Sequence, residues 1–431
     1  MRPDADVVVV GAGIAGLTAA HELRRAGRDV RVLEAADHVG GRMTTLRRDG
    51  FLIDTGAEQL PTRGYPATWE LLARLGLGRG DAPRIRRHLA VWRDGRARPG
   101  LAHPRGLLTG AGLPVAARRA LVRVLSDPHD LDHPERGPHD TVAAYAAARH
   151  PDLLRYLCQP VVSGFFGWDP ERSAVAPLLA ILTSCGTTHS WRTYRDGMDT
   201  FARALAADLD VECGVRVDGV VAEPGGARVV CGADEIRARA VVLAVPAPVA
   251  RRLHANPPDH ERLYLDACTY TPVLKAHLML DTRPRSRSYV LLVPSVDSAA
   301  LSTIILDHVK HPGRAPAGRG LVSLMAAPAA TPSLLDAPDH EVVTALTTAA
   351  ERFLPEVGAV CDAVVSRFRH GLPEATPAAL ALRAGFADRL GGVVDYAGDW
   401  VGLVPCSEAA VRSGRRVAAR VLAAVPGRQP V

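Results

Sequence analysis

The first 35 residues alternate between short apolar runs and a helical pattern. The apolar run Val7–Val10 predicts a strand that is buried on both faces of a parallel sheet. Residues 17–26 carry apolar side chains at intervals of three and four, which predicts a helix, and Gly27 is a natural stop. A second apolar run, Val30–Leu33, predicts a second strand. The order is therefore strand, helix and strand in about 30 residues.

A glycine-rich turn, Gly11-Ala12-Gly13-Ile14-Ala15-Gly16, joins the first strand to the helix. Gly11 permits the tight turn, Gly13 lets the backbone approach a pyrophosphate, and Gly16 lets helix and strand pack closely. The helix N-terminus offers N–H groups and a partial positive charge to phosphates. Glu34 ends the second strand, where it can accept hydrogen bonds from ribose hydroxyls. The unit predicts dinucleotide binding and leaves NAD and FAD both open.

The next segments carry further glycines and one arginine. Gly40-Gly41-Arg42 follows closely after Glu34, and its glycines and arginine could wrap the other side of a pyrophosphate. The segment 50–58, which ends in Asp54-Thr55-Gly56-Ala57-Glu58, comes next. In the run 7–58 the chain resembles the superfamily of flavin-containing amine oxidases and protoporphyrinogen oxidases.

The resemblance continues through the chain in the same order. Residues 196–198 followed by a helix over 200–209, a strand over 215–220 and a strand over 240–246 match family segments, as do 395–400 and 407–414. The resemblance implies an α/β fold: a Rossmann-like FAD-binding domain with a discontinuous α+β substrate domain. The implied domains are 1–62, 196–250 and 366–431 for FAD, and 63–195 and 251–365 for substrate.

The resemblance also implies which residues line a non-covalently bound FAD. Asp399 would hold the ribityl or pyrophosphate region, and the helix that starts near Ser407 would aim its N-terminus at the flavin pyrimidine edge, which is negative when reduced. The backbone near Val217 would meet the adenine. The implied cofactor positions are Gly11, Gly13, Ile14, Ala15, Gly16, Glu34, Ala35, Gly41, Arg42, Gly56, Ala57, Glu58, Val217, Gly398, Asp399, Ser407 and Ala410.

The remaining chain predicts a mixture of helices and strands. Residues 101–147 predict several short helices, and 341–354 predict an amphipathic helix with Asp339 as its N-cap. The runs 289–293, 302–306 and 320–326 predict strands of an antiparallel sheet.

Lys275 is the candidate catalytic residue. Only it and Lys310 are lysines among 52 basic residues, and it stands in an apolar strand pattern. The resemblance implies a lysine bridged by water to flavin N5, where a cation would favour reoxidation by O2. The alternative is a lysine that leaves a strand edge for solvent.

Three residues are candidates to line the substrate. Cys406 falls where amine oxidases of the family carry an aromatic residue, and Trp400 and Trp168 could supply walls. Cys406 could instead tether the flavin or be a buried, unreactive thiol, and Trp168 could belong to a packed helix corner. Residues 367–374 look closer to the porphyrinogen oxidase branch.

The amino-acid composition restricts the class of protein, its cellular location and its partners. The 431 residues are 47% hydrophobic with a net charge of +6, which is typical of a globular protein. No apolar run approaches a membrane span, no signal peptide is visible, and the seven cysteines form no CxxC pair. We expect a cytoplasmic monomer or homodimer with no metal and no nucleic-acid partner. The arginine-dense stretch 79–123 is either a solvated face or a peripheral membrane contact.

The sequence therefore predicts an FAD-dependent oxidase or dehydrogenase. It would take a hydride from a C–N or C–C unit of a hydrophobic small molecule, such as a specialised metabolite, with O2 as acceptor and H2O2 as product. Two alternatives stay open. One is a protoporphyrinogen-oxidase-like enzyme, desaturase or isomerase, and the other is a non-catalytic flavin-binding partner protein.

Overall fold

A computed structural model of the protein describes residues 3–425, apart from 102–105, 107, 109, 111, 356 and 358. Its strands form two large sheets and two small ribbons. The described strands are β1 Ala5–Val10, β2 Val30–Glu34, β3 Thr45–Arg48, β4 Phe51–Asp54, β5 Leu60–Pro61, β6 His88–Arg93, β7 Arg96–Leu101, β8 Trp191–Arg192, β9 Asp210–Cys213, β10 Gly219–Glu223, β11 Gly226–Cys231, β12 Asp234–Leu243, β13 Thr269–Leu280, β14 Ser288–Leu292, β15 Leu301–Leu306, β16 Gly320–Ala326, β17 Val360–Glu374 and β18 Val394–Tyr396.

The first sheet has the order β10-β11-β12-β1-β2-β9, with β18 beside β12. Its central pairs are parallel, and every residue of β1 is buried, because helices cover both faces of a parallel sheet. The predicted strands at 7–10, 30–33 and 240–246 are confirmed, the last one ending at Leu243. The strand predicted over 215–220 is confirmed only at its end: residues 215–218 form the link between β9 and β10, and β10 begins at Gly219.

Helices flank both sheets. The described α-helices are Ile14–Arg25, Pro66–Arg74, Val115–Leu125, Val142–Ala147, Pro151–Leu153, Gln159–Phe166, Val175–Cys185, Thr200–Ala206, Ala247–Leu253, Asp259–Ala267, Asp307–Lys310, Thr331–Leu334, Asp339–Glu351, Pro377–Ala387 and Ser407–Ala424. Several short helices therefore occupy 101–147 as predicted, in the part of that segment that the structure describes. Of the described helices, none is long and apolar enough to span a bilayer.

The first and last helices, Ile14–Arg25 and Ser407–Ala424, pack directly against each other. Their contact is close because Gly414 faces the first helix, where a Cβ atom would lie 2.5 Å from the carbonyl oxygen of Ala15. The two ends of the chain thus build one side of the first sheet together.

The second sheet has the order β17-β13-β16-β15-β14-β6-β7. The antiparallel pairing predicted for the strands near 290, 304 and 323 is confirmed. The helix Asp339–Glu351 packs on this sheet, but the N-cap prediction is wrong. Pro338 holds the N-cap position, and Asp339 is the first helical residue, paired instead with Arg367.

The predicted domain boundaries stay a prediction. The first sheet contains strands from 5–34, 210–243 and 394–396, and the second contains strands from 88–101 and 269–374. Strand β17 runs through the proposed boundary at 365/366 without a break.

Candidate functional site

The turn after β1 is an open cradle at a helix N-terminus. Gly11 has a φ of +104°, and a Cβ there would lie 2.7 Å from the carbonyl oxygen of Ala244. At Gly13, by contrast, no atom lies within 4 Å of the Cβ position, and no side chain caps the helix that begins at Ile14. The free N–H groups therefore face a space that an anionic pyrophosphate fits.

Glu34 lies beside this cradle, at the end of β2. Its two carboxylate oxygens accept hydrogen bonds from the N–H groups of Ala12, at 2.7 Å, and Ala36, at 2.9 Å. Each oxygen retains a lone pair for a ribose hydroxyl. The N–H of Val215 donates to the carbonyl oxygen of Glu34 at 2.9 Å, so the link that contains Val217 runs along the same edge. This link is not a strand, and the contact of Val217 with an adenine stays a prediction.

Arg42 joins the cradle to the C-terminal part of the chain. Its guanidinium makes two hydrogen bonds of 2.8 Å to the carboxylate of Asp399, and a third of 3.1 Å to the carbonyl oxygen of Gly371. Burial alone would lower the pKa of Arg42, but the Asp399 carboxylate outweighs it and raises the pKa above its usual value. Gly41 lies close to Gly13, so both glycine segments meet at one place.

The last helix begins at Ser407 next to this pair. Ser413, on the same helix, accepts a hydrogen bond from the N–H of Gly398 at 3.0 Å. Glu408, in the first turn, accepts from the N–H groups of Ala67 and Thr68 at the start of another helix. The last helix is thereby fixed at its N-terminus. Glu408 was missed by the sequence analysis, because nothing local shows that its partners lie 340 residues away.

Cys406 is the N-cap of the last helix. Its sulfur accepts from the N–H of Ala409 at 3.5 Å, and burial raises the pKa of the thiol to about 11. The thiolate is the nucleophilic form of cysteine, and the raised pKa disfavours it, so the role of Cys406 stays a prediction.

Lys275 lies in β13 and is buried, so it does not leave the strand for solvent. Its ammonium group donates at 2.7 Å to the carbonyl oxygen of Gly56 and at 2.7 Å to the Glu58 carboxylate. Ala57 in turn donates its N–H to the carbonyl oxygen of Arg42 at 2.9 Å. The predicted residues 56–58 therefore connect Lys275 to the Arg42–Asp399 pair.

A buried charge cluster surrounds Glu58, and the sequence analysis missed most of it. Lys310 Nζ contacts the carboxylates of Asp54, at 3.1 Å, Asp307, at 2.9 Å, and Glu58. Arg314 also contacts Asp54, at 2.9 Å. We define the charge cluster as Asp54, Glu58, Lys275, Asp307, Lys310 and Arg314.

The charge cluster shifts the pKa of Asp54. Burial alone would raise the pKa of Asp54, but Lys310 and Arg314 lower it to about 2. Asp54, Glu58 and Asp307 have the spacing of a metal site, the one such group among the described residues. The ammonium of Lys310 contacts all three carboxylates, and Lys275 and Arg314 supply the two further positive charges that balance them.

A chain of neutral groups extends from the cluster. Ser323 donates to Asp307 and lies 2.7 Å from Nδ1 of His277, whose Nε2 lies 3.1 Å from Ser366. Because the Ser323 proton goes to Asp307, Nδ1 of His277 carries its own proton. Burial, followed by the charge of Lys275, lowers the pKa of His277 to about 3.

The predicted aromatic walls lie in packed surroundings. Trp168 is fully buried and donates its Nε1–H to the carbonyl oxygen of Pro373 at 2.9 Å. Trp400 is 1% exposed and donates to the carbonyl oxygen of Val245 at 3.1 Å. Neither is brought to Lys275 by any described hydrogen bond, and their contact with substrate stays a prediction.

Tyr270 is an additional candidate that the sequence analysis did not select. Its hydroxyl is buried and has no hydrogen-bond partner in the part of the chain that the structure describes. Burial, and then the charge of Asp399, raise its pKa. An unsatisfied hydroxyl costs free energy, so a polar group of a bound molecule beside Arg42 and Asp399 would satisfy it. With the open cradle at Gly13, this hydroxyl fits a bound dinucleotide cofactor.

Comparison with known proteins agrees with this geometry. Residues 14–422 match the family described as flavin containing amine oxidoreductase. Coproporphyrinogen III oxidase of Propionibacterium freudenreichii is 27% identical over 98% of this chain and 93% of its own, and putrescine oxidase of Kocuria rosea is 28% identical over 71% and 70%.

Solved structures share the fold. Putrescine oxidase with bound putrescine has a TM-score of 0.78 at 20% identity, covering 97% of this chain and 99% of the other. A putative protoporphyrinogen oxidase from Exiguobacterium has a TM-score of 0.76 at 20% identity over the same shares.

The chain belongs to the flavin-containing amine oxidoreductase family. It is an FAD-dependent oxidoreductase that acts on a small molecule. The predicted α/β fold, the family and the cofactor are therefore confirmed.

Proposed function

We propose that the enzyme removes a hydride and a proton from a C–N or C–C unit of a hydrophobic small molecule, and that O2 takes up both to give H2O2. FAD, when bound, supplies the hydride acceptor. The observation that carries the proposal is the buried ammonium of Lys275. Gly56 and Glu58 accept two of its three N–H donors.

The third N–H donor of Lys275 would act in the step in which O2 reoxidises the flavin. A fixed cation in a water-poor site stabilises the negative charge that develops as O2 takes up electrons. The neighbouring residues 56–58 hold this cation through the Gly56 carbonyl oxygen and the Glu58 carboxylate. Arg42 and Asp399 would orient the cofactor, and the N-terminus of the last helix would favour an anionic pyrimidine edge.

For the substrate, we propose a cyclic amine, a pyrrole-type compound or another specialised metabolite. Two features support this choice over a simple primary amine. Cys406 holds the position where we expect the family's aromatic residue, and it is the N-cap of the last helix. Coproporphyrinogen III oxidase also matches nearly the whole chain, whereas putrescine oxidase matches about seven tenths of it.

A porphyrinogen oxidase, desaturase or isomerase is the second candidate. The long match to coproporphyrinogen III oxidase favours it. A desaturase or isomerase would act without consuming O2, and a non-catalytic flavin-binding protein would act on no substrate.

Anaerobic bleaching of the yellow holoenzyme tests the proposal. The protein is mixed with cyclic amines and porphyrinogens in turn, and air is then admitted with a peroxide assay. We expect one class to bleach the flavin, with one H2O2 formed for every two electrons removed from the substrate. Substrate conversion without O2 uptake would favour a desaturase or isomerase, and a flavin that no substrate bleaches would favour the non-catalytic alternative.

A cytoplasmic location, a monomer or homodimer and a peripheral membrane contact are further proposals. The first rests on the cysteine pattern of the sequence. The membrane contact is supported by the helix Val115–Leu125, which exposes Val115 and Val122 beside Arg119 and Arg123. Co-sedimentation with anionic vesicles and light scattering test these proposals.

A further inference from the structure

Both lysines of the chain contact the same carboxylate. Lys275 donates to one oxygen of Glu58 at 2.7 Å, and Lys310 donates to the other. The lysine side chains are 5% and 0% exposed, and that of Glu58 is 10% exposed. Arginine fills the other basic positions of the sequence. The chain thus keeps lysine only where it contacts Glu58.

The surroundings of Lys310 explain why this residue is a lysine. Its ammonium group has three N–H donors arranged as a tripod, and it contacts three carboxylates, those of Asp54, Glu58 and Asp307. A compact ammonium can face three separate carboxylates, whereas the donors of a guanidinium lie in one plane. Lys310 donates hydrogen bonds to Asp54 and Glu58, and its 2.9 Å contact with Asp307 is an ion pair.

Lys275 differs because one of its donors has no partner in the part of the chain that the structure describes. The direction of that donor depends on where the Glu58 carboxylate lies. A carboxylate held through one oxygen can rotate, whereas one held through both oxygens is fixed. Lys310 supplies the second contact, on the oxygen that Lys275 does not use.

We propose that Lys310 is a positioning residue that acts through Glu58 to fix the ammonium group of Lys275. This inference rests on the proposed role of Lys275 in the reaction. The charged groups of the cluster are balanced, with three carboxylates and three cations. Other titratable groups that face it include His277, on the strand of Lys275, Tyr289, which donates to Gln59, His311 and Arg47.

Lysine-specific NMR of the holoenzyme tests the inference independently of activity. Because the sequence has two lysines, labelling with [ε-¹³C]lysine gives two signals, which Lys275→Met and Lys310→Met assign. In the unmodified protein we expect the two ε protons of Lys275 to be distinct, as in an immobilised side chain. In Lys310→Met they should merge into one averaged signal. A Lys275 signal that stays unchanged would overturn the proposal.

Asp307→Asn is the matched control. It removes one charge from the same cluster and contacts Lys310, but the structure gives it no contact with Glu58 or Lys275. The Lys275 signal should therefore keep its distinct protons. A loss as large as that in Lys310→Met would show that any damage to the cluster frees Lys275, and would contradict a specific role of Lys310.

Two further variants protect the test against misfolding. Lys310→Met combined with Asp307→Asn removes one charge of each sign, so the cluster stays balanced while Glu58 still loses its second contact. Glu58→Gln keeps the shape and removes the charge. Both should free the Lys275 side chain, and a rigid Lys275 in both would overturn the proposal.

Rates of flavin reoxidation by O2 give a second readout. We expect Lys310→Met to slow this step roughly 10-fold, a size typical for losing a group that orients an active residue. In a Lys275→Met background it should cause no further loss. An equal loss in both backgrounds would contradict action through Lys275. If Lys275→Met alone has no effect on the rate, the proposed function of Lys275 fails, and the NMR result still decides whether Lys310 positions it.

Discussion

The cradle that follows β1 and the charge cluster around Glu58 are built from opposite kinds of groups. The cradle uses backbone N–H groups and the absence of side chains, and its parts lie within residues 11–34. The charge cluster uses six acidic and basic side chains with little exposure to solvent, drawn from residues 54–314. The first region binds through shape, and the second acts through charge. Substitutions in the two regions should therefore separate cofactor binding from the chemical steps.

The largest effect is expected from Gly11→Val. A left-handed backbone costs an L-residue about 1–2 kcal/mol, and the new side chain would collide with the carbonyl oxygen of Ala244. We expect FAD affinity to fall at least roughly 100-fold, or about 3 kcal/mol, as measured by flavin fluorescence on titration of the apoprotein. Gly219→Val is the control, because the space around Gly219 is open. Tight FAD binding by Gly11→Val would show that the cradle is not part of the FAD site.

Lys275→Met should have the converse effect. Loss of one preorganised charge typically slows a reaction about 100-fold, so reoxidation of reduced flavin by O2 should slow by that factor while FAD content stays unchanged. Stopped-flow mixing with O2 measures the rate. Arg262→Met, which removes an exposed cation paired with Asp259, should leave the rate unchanged. Loss of FAD from Lys275→Met would break the division between the two regions.

Glu34→Gln tests whether cofactor binding can be weakened without a change in the rate of reoxidation. The carboxylate of Glu34 accepts hydrogen bonds from two backbone N–H groups, and the NH2 of a glutamine would repel one of them. The amide would also bind ribose hydroxyls less well. We expect roughly 10-fold weaker FAD binding, about 1.4 kcal/mol, with the reoxidation rate of bound flavin unchanged. Isothermal titration of the apoprotein and stopped-flow measurements check both. A slower reoxidation at full FAD occupancy would contradict this separation.

The smallest effect concerns the pH dependence of stability. The unfolded chain protonates His277 below about pH 6.5, whereas burial and Lys275 lower its pKa in the folded protein to about 3. The contribution of His277 is thus fully present above pH 6.5 and is lost as the pH falls toward 3, at up to about 1.4 kcal/mol per unit.

Urea unfolding at pH 7.0 and 5.5 measures this dependence. His277→Asn should be less stable at pH 7.0 but should lose about 1 kcal/mol less on acidification. His254, whose pKa burial lowers to about 4, keeps a slope of the same sign in both proteins. Identical slopes for variant and unmodified protein would mean that His277 is not buried in its neutral form.

The same contrast explains what the sequence could predict. The cradle and Glu34 lie on consecutive elements, so spacing alone placed them correctly. The charge cluster forms when β4, β13 and the short helix Asp307–Lys310 come together, and no local pattern encodes that meeting. The sequence did contain one signal for the charge cluster. The chain has two lysines among many arginines, which suggests that the two lysines share a role, but the resemblance to the family pointed to Lys275 alone.

Two predictions differ from the structure where tertiary contacts compete with the local sequence pattern. Residues 215–220 alternate like a strand, but their first residues bond to the end of β2 at Glu34 and cannot also pair in a regular ladder. Asp339 precedes an amphipathic helix, as an N-cap does, but Pro338 takes that position and Arg367 provides a partner for the carboxylate. In both cases a tertiary contact outweighed the local preference.

The packing of Ile14–Arg25 against Ser407–Ala424 has a consequence for biosynthesis. The cradle at Gly13 is synthesised long before the helix that supports it through Gly414. Asp399, which pairs with Arg42, is also synthesised long after its partner. A nascent chain therefore holds half a binding site until this helix has been made, and we expect stable capture of FAD only after that point.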